Sequence, residues 1–203
     1  MEAFVTVQGV AAALPLSNLD TDQIMPKQFL RGIDRQGLSR GVLYELRFDT
    51  SGAARPQFVL NQSPWNQACF LVVGPNFGCG SSREHAVWGL RELGIRGIVG
   101  TSFGGIFADN CLRNGVPALS LPPEHIDRLS ALVQHPNRCE LRVDLATQTV
   151  TSLADGIVVP VDLDPWQRDM LMQGLDPVGM TLTRAPDIRD FETRYWATNT
   201  DAA

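Results

Sequence analysis

The amino-acid sequence predicts an α/β fold with a central parallel sheet and additional antiparallel strands, on three observations. Short apolar runs at 70–73, 98–99 and 116–121 are separated by stretches of helical periodicity; glycines and the Asn114-Gly115 turn punctuate them; and beyond Pro136 the texture changes to short strands joined by tight links. With 203 residues, 44% of them hydrophobic, the chain is long enough to bury a sizeable core, which excludes a disordered protein.

The first strand, Phe70-Leu71-Val72-Val73, is followed by a predicted helix over 83–93. Its apolar side chains Ala86, Val87, Leu90 and Leu93 share one face, and Gly94 supplies the left-handed stop. Ile98-Val99 is the next strand. A second helix over 103–112, with Ser102 before it and Asn114-Gly115 after it as caps, leads to a third strand at 116–121. Consecutive buried strands joined by helices form a parallel sheet with right-handed crossovers. Residues 139–145, 149–153 and 157–159 read as antiparallel strands, the last two separated by an Asp155-Gly156 turn. A helix over 165–173 opens with Asp164 as N-cap and Pro165 at its first position, and closes at Gly174. Residues 31–63, with Gly32, Gly37, Gly41 and Gly52 and little periodicity, read as a long surface excursion. The last stretch, 186–203, reads as a helical tail.

Lys and Arg total 17 against 22 for Asp and Glu, so the net charge of −5 repels phosphate backbones and anionic lipid. That excludes a general nucleic-acid binder. The N-terminal stretch has no basic leader and no apolar run reaches the roughly 18 residues a membrane helix needs, so the chain reads as cytoplasmic. Cysteines at 69, 79, 111 and 139 form no C-x-x-C pair, and histidines at 85, 125 and 135 are scattered. The expectation is free buried thiols and no metal site on this chain.

Chemistry concentrates in Gly74-Pro-Asn-Phe-Gly-Cys-Gly-Ser-Ser-Arg-Glu-His85, where three glycines follow a buried strand and lead into a helix. Such a turn aims unpaired amides at one spot, and Ser81 with Glu84 three residues on has the form of a capping box. Ser82 and Arg83 would then occupy the first turn. A cation there opposes the helix dipole at a cost of a few tenths to about 1 kcal/mol unless an anion answers it, which points to a bound carboxylate or phosphate. A tight, well-capped turn with no ligand reads equally well. A Walker motif is excluded because it needs Gly-Lys-Ser/Thr, and a dinucleotide fingerprint because the third position after Gly80 is Arg83 instead of glycine. In Leu16-Ser-Asn-Leu-Asp-Thr-Asp-Gln-Ile-Met-Pro-Lys27, Asp20 and Asp22 flank Thr21 in a turn-rich region, where Asx-turns are the ordinary use of such residues. His85 is expected to pack at a helix edge. Trp65, Trp88, Trp166 and Trp196 are expected to fill core or interface.

Three segments carry a resemblance: Asn18-Leu-Asp-Thr-Asp-Gln-Ile24, Phe77-Gly-Cys-Gly-Ser-Ser-Arg-Glu-His85 and Ser102-Phe-Gly-Gly-Ile-Phe-Ala-Asp-Asn110. Together with Asp162-Leu-Asp-Pro165 and Gly174-Leu-Asp-Pro-Val-Gly-Met-Thr-Leu182 they resemble the small subunits of 3-isopropylmalate dehydratase almost end to end. The Gly-Ser-Ser-Arg-Glu-His motif is shared across the aconitase superfamily. The resemblance implies one swivelling β/β/α three-layer domain over 1–203 that closes on a large subunit carrying a [4Fe–4S] cluster, and a small dicarboxylate substrate. It further implies interconversion of 2- and 3-isopropylmalate by dehydration and rehydration in leucine synthesis. Carried over by position, Ser81 is the base as its alkoxide, Ser82, Arg83 and Thr21 bind substrate, and Asp22 is an active-site carboxylate. Recognition of the alkyl group falls to residues 25–31, with Phe29 and Leu30 as its apolar candidates. Typical members read Ser-Phe-Ala-Asp-Ile-Phe where this chain has Gly104-Gly105, and Val116-Pro-Ala-Leu119 replaces a leucine-rich run. These departures keep open a relative acting on citramalate or homoaconitate. A non-catalytic dicarboxylate-binding module is the rival from another class.

Overall fold

The strand that organises the sheet lies at the N-terminus, ahead of every strand the apolar runs predict. In the computed structural model, which describes residues 1–30 and 35–199, β1 (Thr6–Leu14) pairs on both sides. The other strands are β2 (Phe70–Val73), β3 (Gly97–Gly100), β4 (Ala118–Ser120), β5 (Glu140–Asp144), β6 (Thr149–Ser152) and β7 (Val158–Pro160). They form one seven-stranded sheet in the order β4-β3-β2-β1-β5-β6-β7. The second half of β1 runs parallel to β2, from Ala11 opposite Phe70 to Leu14 opposite Val73. Its first half runs antiparallel to β5, from Thr6 opposite Asp144 to Val10 opposite Glu140. One strand thus joins the predicted parallel and antiparallel halves. Burial follows the pairing: β2 and β3 are buried throughout, as a doubly covered parallel sheet requires, whereas β5 alternates between exposed and buried.

The helices are α1 (Thr21–Ile24), α2 (Tyr44–Arg47), α3 (Glu84–Glu92), α4 (Gly105–Arg113), α5 (Pro123–Val133), α6 (Pro165–Gln173), α7 (Pro177–Leu182) and α8 (Ala185–Asn199). Because β2, β3 and β4 step outward in one direction, right-handed crossovers put α3 and α4 on the same face, where they pack together. Helix α5 returns the chain across β3, β2 and β1, burying Ile126, Leu129, Leu132 and Val133. The buried Trp65 indole donates to the Val133 carbonyl at 2.7 Å.

Several expectations shift. The strand at 116–121 narrows to Ala118–Ser120, since Pro117 has no amide to give a ladder. The helix at 103–112 begins at Gly105 with Gly104 at its N-cap; the Ser102 hydroxyl instead accepts from the Asn76 amide at 2.9 Å. Helix α6 forms as read, Asp164 accepting from the amides of Trp166 and Gln167 and Gly174 adopting φ +68°. The supposed surface excursion contributes to the core: Leu38, Val42, Leu43 and Leu60 are buried. It is stitched to α3 by Glu92, which accepts from the amides of Gly37 and Ser39, and Arg47 donates to the Ser39 carbonyl at 3.0 Å. Its residues 31–34, and residues 200–203 of the expected tail, lie outside the described residues. Trp65 is in the core and Trp88 half-buried, but Trp166 and Trp196 are exposed.

Candidate active site

Three loops leave the carboxyl ends of β1, β2 and β3 side by side, the position at which open α/β sheets bind ligands. They continue the parallel pairing past the strands. The amide of Gly74 donates to Leu14 O (3.1 Å), Gly78 to Leu19 O (2.7 Å) and Thr21 to Cys79 O (2.9 Å), which locks the Asp-Thr-Asp loop onto the glycine turn. On its other side the turn is held by Phe77 N to Ser102 O (3.2 Å) and Gly104 N to Phe77 O (2.9 Å). Gly78, at φ +73°, passes over the Phe107 ring so closely that a Cβ would stand 2.2 Å from its Cγ. A Cβ on Gly104 would stand 2.4 Å from Gly78 O. Gly104 is therefore a packing feature beneath the turn.

The sequence reading gave no role to Asn18 and Asn76. Both adopt positive φ, at +56° and +58°, and Asn76 Nδ2 donates to Asn18 Oδ1 at 2.8 Å, tying the two loops together. Their signal was available, because asparagine is the side-chain-bearing residue that best tolerates the left-handed region.

The loops bring Thr21, Asp22, Ser81 and Arg83 together across 60 residues of sequence. Asp20 caps α1 through a capping box with Gln23, which fixes the chain direction. Thr21 then turns inward and is buried; its Oγ1 donates to Ser81 O at 2.7 Å and lies 3.3 Å from Ser81 Oγ. Since the one Thr21 hydroxyl proton is committed to the carbonyl, the Ser81 hydroxyl donates to Thr21 Oγ1. Asp22 pairs with Arg83, whose side chain is 16% exposed.

The expected Ser81–Glu84 capping box does not form. Arg83 itself occupies the N-cap with extended backbone, so Ser81, Ser82 and Arg83 precede the helix. Glu84 Oε1 is drawn away by Asn114 Nδ2 (2.8 Å) and the Trp88 indole (3.2 Å). The anion that answers Arg83 within this chain is Asp22. Ser82 is exposed on the same turn. Phe29 meets Tyr44 with ring centroids 5.0 Å apart and the planes tilted by 50°, and packs against Gly41, and Leu30 is half-buried against the core. Among the described residues no hydrogen bond, ion pair or ring contact joins either to Ser81 or Arg83. Arg31, the end of the expected recognition segment, lies outside the described residues. His85 packs on Trp88 with ring centroids 4.6 Å apart.

All four cysteines are free thiols. Burial pushes Cys69 up to about 11 despite the nearby Arg96, and burial also raises Cys111 and Cys139. Half-buried Cys79 sits inside the turn with Sγ 3.4 Å from Asn18 O. Among the described residues no three His, Cys, Asp or Glu side chains group closely enough to hold a metal ion, so the donors do not fit an iron–sulfur cluster.

The aconitase C-terminal domain family matches residues 1–124. The 3-isopropylmalate dehydratase small subunit 1 of Mannheimia succiniciproducens is 50% identical over 98% of both chains. The 3-isopropylmalate dehydratase small subunit of Roseobacter denitrificans is 46% identical over 95% of both. In fold, the chain is similar to the crystal structure of 3-isopropylmalate dehydratase (leuD) from Methanocaldococcus jannaschii, with a TM-score of 0.67 at 21% identity, over 92% of this chain and 99% of that one.

Proposed function

The chain belongs to the small-subunit family of 3-isopropylmalate dehydratases, within the aconitase superfamily, and on that premise we propose that its Thr21–Ser81 and Asp22–Arg83 pairs are the small-subunit half of a hydro-lyase active site. The substrate is isopropylmalate, interconverted between its 2- and 3-isomers in leucine synthesis, and the whole chain 1–203 acts as one swivelling domain against a large subunit in the cytoplasm. A [4Fe–4S] cluster would be held by that large subunit and would supply Lewis acidity toward the leaving hydroxyl; the donors among the described residues of this chain do not suit it.

The observation that carries this reading is the meeting of the two loops. A serine is a poor base in water and needs its alkoxide stabilised, so its hydroxyl must be aimed and have positive charge nearby. Thr21 holds Ser81 by its carbonyl and meets its hydroxyl, while Asp22 fixes the guanidinium two residues further on. Ser81 takes the proton from the carbon beside a substrate carboxylate. Arg83, using donors not engaged by Asp22, and Ser82 hold that carboxylate. Phe29 and Leu30 are the apolar side chains of the 25–31 segment that would meet the alkyl group. A non-catalytic binder would need Arg83 but has no use for an aimed serine.

Reconstituting the chain with its large subunit and replacing Ser81→Ala tests the assignment. Turnover of 3-isopropylmalate is expected to fall by about 10²–10⁴, the range for a general base. A variant within a few-fold of wild type removes Ser81 from the chemistry.

A further inference from the structure

The described surface holds one basic cluster that the site does not use. Arg35, Arg91 and Arg113 line an open cleft of about 510 Å³ together with Glu84, Asn114, Asp176, Pro177 and Val178. None of the three arginines makes an ion pair among the described residues, although Arg35 lies over the Trp88 ring at 4.4 Å. The two carboxylates in the wall are already engaged: Glu84 with Asn114 and Trp88, and Asp176 with the Gly179 amide as the cap of α7. Three guanidinium groups without carboxylate partners among the described residues, on a chain of net charge −5, form a local patch of opposite sign.

Apolar surface borders the cleft. Val178 on its wall is 66% exposed, and Leu182, one turn along α7, is 65% exposed. Pro177 also lines a second groove, between α6 and α7, that includes the exposed Trp166. The surface from Trp166 through Val178 to Arg113 is thus continuous, and at Glu84 it adjoins Arg83 of the candidate site. An apolar centre edged by unsatisfied charge of one sign is the anatomy of a protein interface, with the apolar part setting dwell time and the charges setting approach.

We propose that this face, Val178 and Leu182 with the Arg35–Arg91–Arg113 cleft, is a docking surface for the large subunit, which presents carboxylate side chains to the cleft. The proposal rests on the reading that the chain works with such a partner. Continuity with the candidate site, whose other half the large subunit would supply, argues for that occupant over a second copy of this chain.

Association of the full chain with its large subunit, followed without substrate at several salt concentrations, tests it. The Arg91→Gln/Arg113→Gln variant is expected to associate about tenfold or more slowly at low salt, the difference closing as salt rises. Val178→Asp is expected to dissociate about tenfold faster, as loss of an anchoring apolar contact does. Circular dichroism and melting temperature identify any variant that misfolds. If both bind within twofold of wild type, the surface is wrong while the partnership stands. If the wild-type chain does not bind the large subunit, both readings fall. A self-association of the isolated chain that Arg113→Gln dissolves would assign the face to a second copy and also overturn the proposal.

Discussion

Thr21 has one hydroxyl proton, and its place on the Ser81 carbonyl leaves Thr21 Oγ1 to receive the serine hydroxyl. Thr21→Val keeps the shape and removes both roles. We expect it to lower stability by about 1 kcal/mol, a typical hydrogen-bond loss, measurable by urea unfolding. In the reconstituted enzyme kcat should fall more than KM rises, because the serine loses its aim while carboxylate binding persists; Thr21→Ser should restore most of it. Equal loss in Thr21→Ser would mean that the methyl, and so packing, is what matters. Arg83 is held by Asp22 through one of its nitrogens. Lysine keeps the charge but cannot present two parallel donors. Arg83→Lys should cost about 1.5–3 kcal/mol in kcat/KM, the range for hydrogen bonds to a charged group. Unaltered kinetics would remove the carboxylate from Arg83.

At the scale of elements, the site depends on loops held by short contacts from neighbours. Glu92 at the end of α3 shows this for the segment after residue 34. Burial pushes its carboxyl up, but the amides of Ser39, Gly37 and Leu38 and the Ser39 hydroxyl outweigh that, and the net shift is down. A carboxyl whose folded value lies below its unfolded one contributes stability that is fully present above the unfolded value and lost as pH falls through the folded one. Wild type should therefore lose stability more steeply than Glu92→Gln as pH drops below about 4.5. Parallel pH profiles for the two proteins would contradict this. The same elements show what the sequence could disclose. Periodicity and flanking turns located α3, α4 and α6 to within a residue or two, because each carries a stop glycine or a cap whose chemistry is local. Strand β1 escaped because Gly9 and Ala11-Ala12-Ala13 dilute its branched residues Thr6, Val7 and Val10, and its pairing is decided by β2 and β5, distant in sequence. Small residues are needed there: a Cβ on Gly9 would stand 2.6 Å from Cys69 Sγ. Helix α5 carried legible signals, Pro123 at its start and apolar residues at 126, 129, 132 and 133, that the reading passed over. In the site, motif resemblance named Ser81, Arg83 and Asp22, but their mutual bonds required the loops to be placed. Local pattern suggested a capping box at Ser81–Glu84; Asn114, 30 residues from Glu84, overrode it.

Across the whole molecule, one sheet presents three loop ends to a single side, and the groups gathered there are a serine, a threonine, a carboxylate and a guanidinium. They can bind a carboxylate and move a proton. Among the described residues nothing groups metal-binding side chains, and no helix is long and apolar enough to cross a membrane. In the proposed reading these groups are half of an active site, and the small-subunit name of the relatives fits that division. Turnover of 3-isopropylmalate, measured while the chain is titrated into the cluster-loaded large subunit, tests this most directly. Neither component alone is expected to turn substrate over, activity should plateau at one chain per large subunit, and the Ser81→Ala chain added as a competitor should inhibit progressively. Turnover by this chain alone, or full activity with Ser81→Ala in place of wild type, would contradict it.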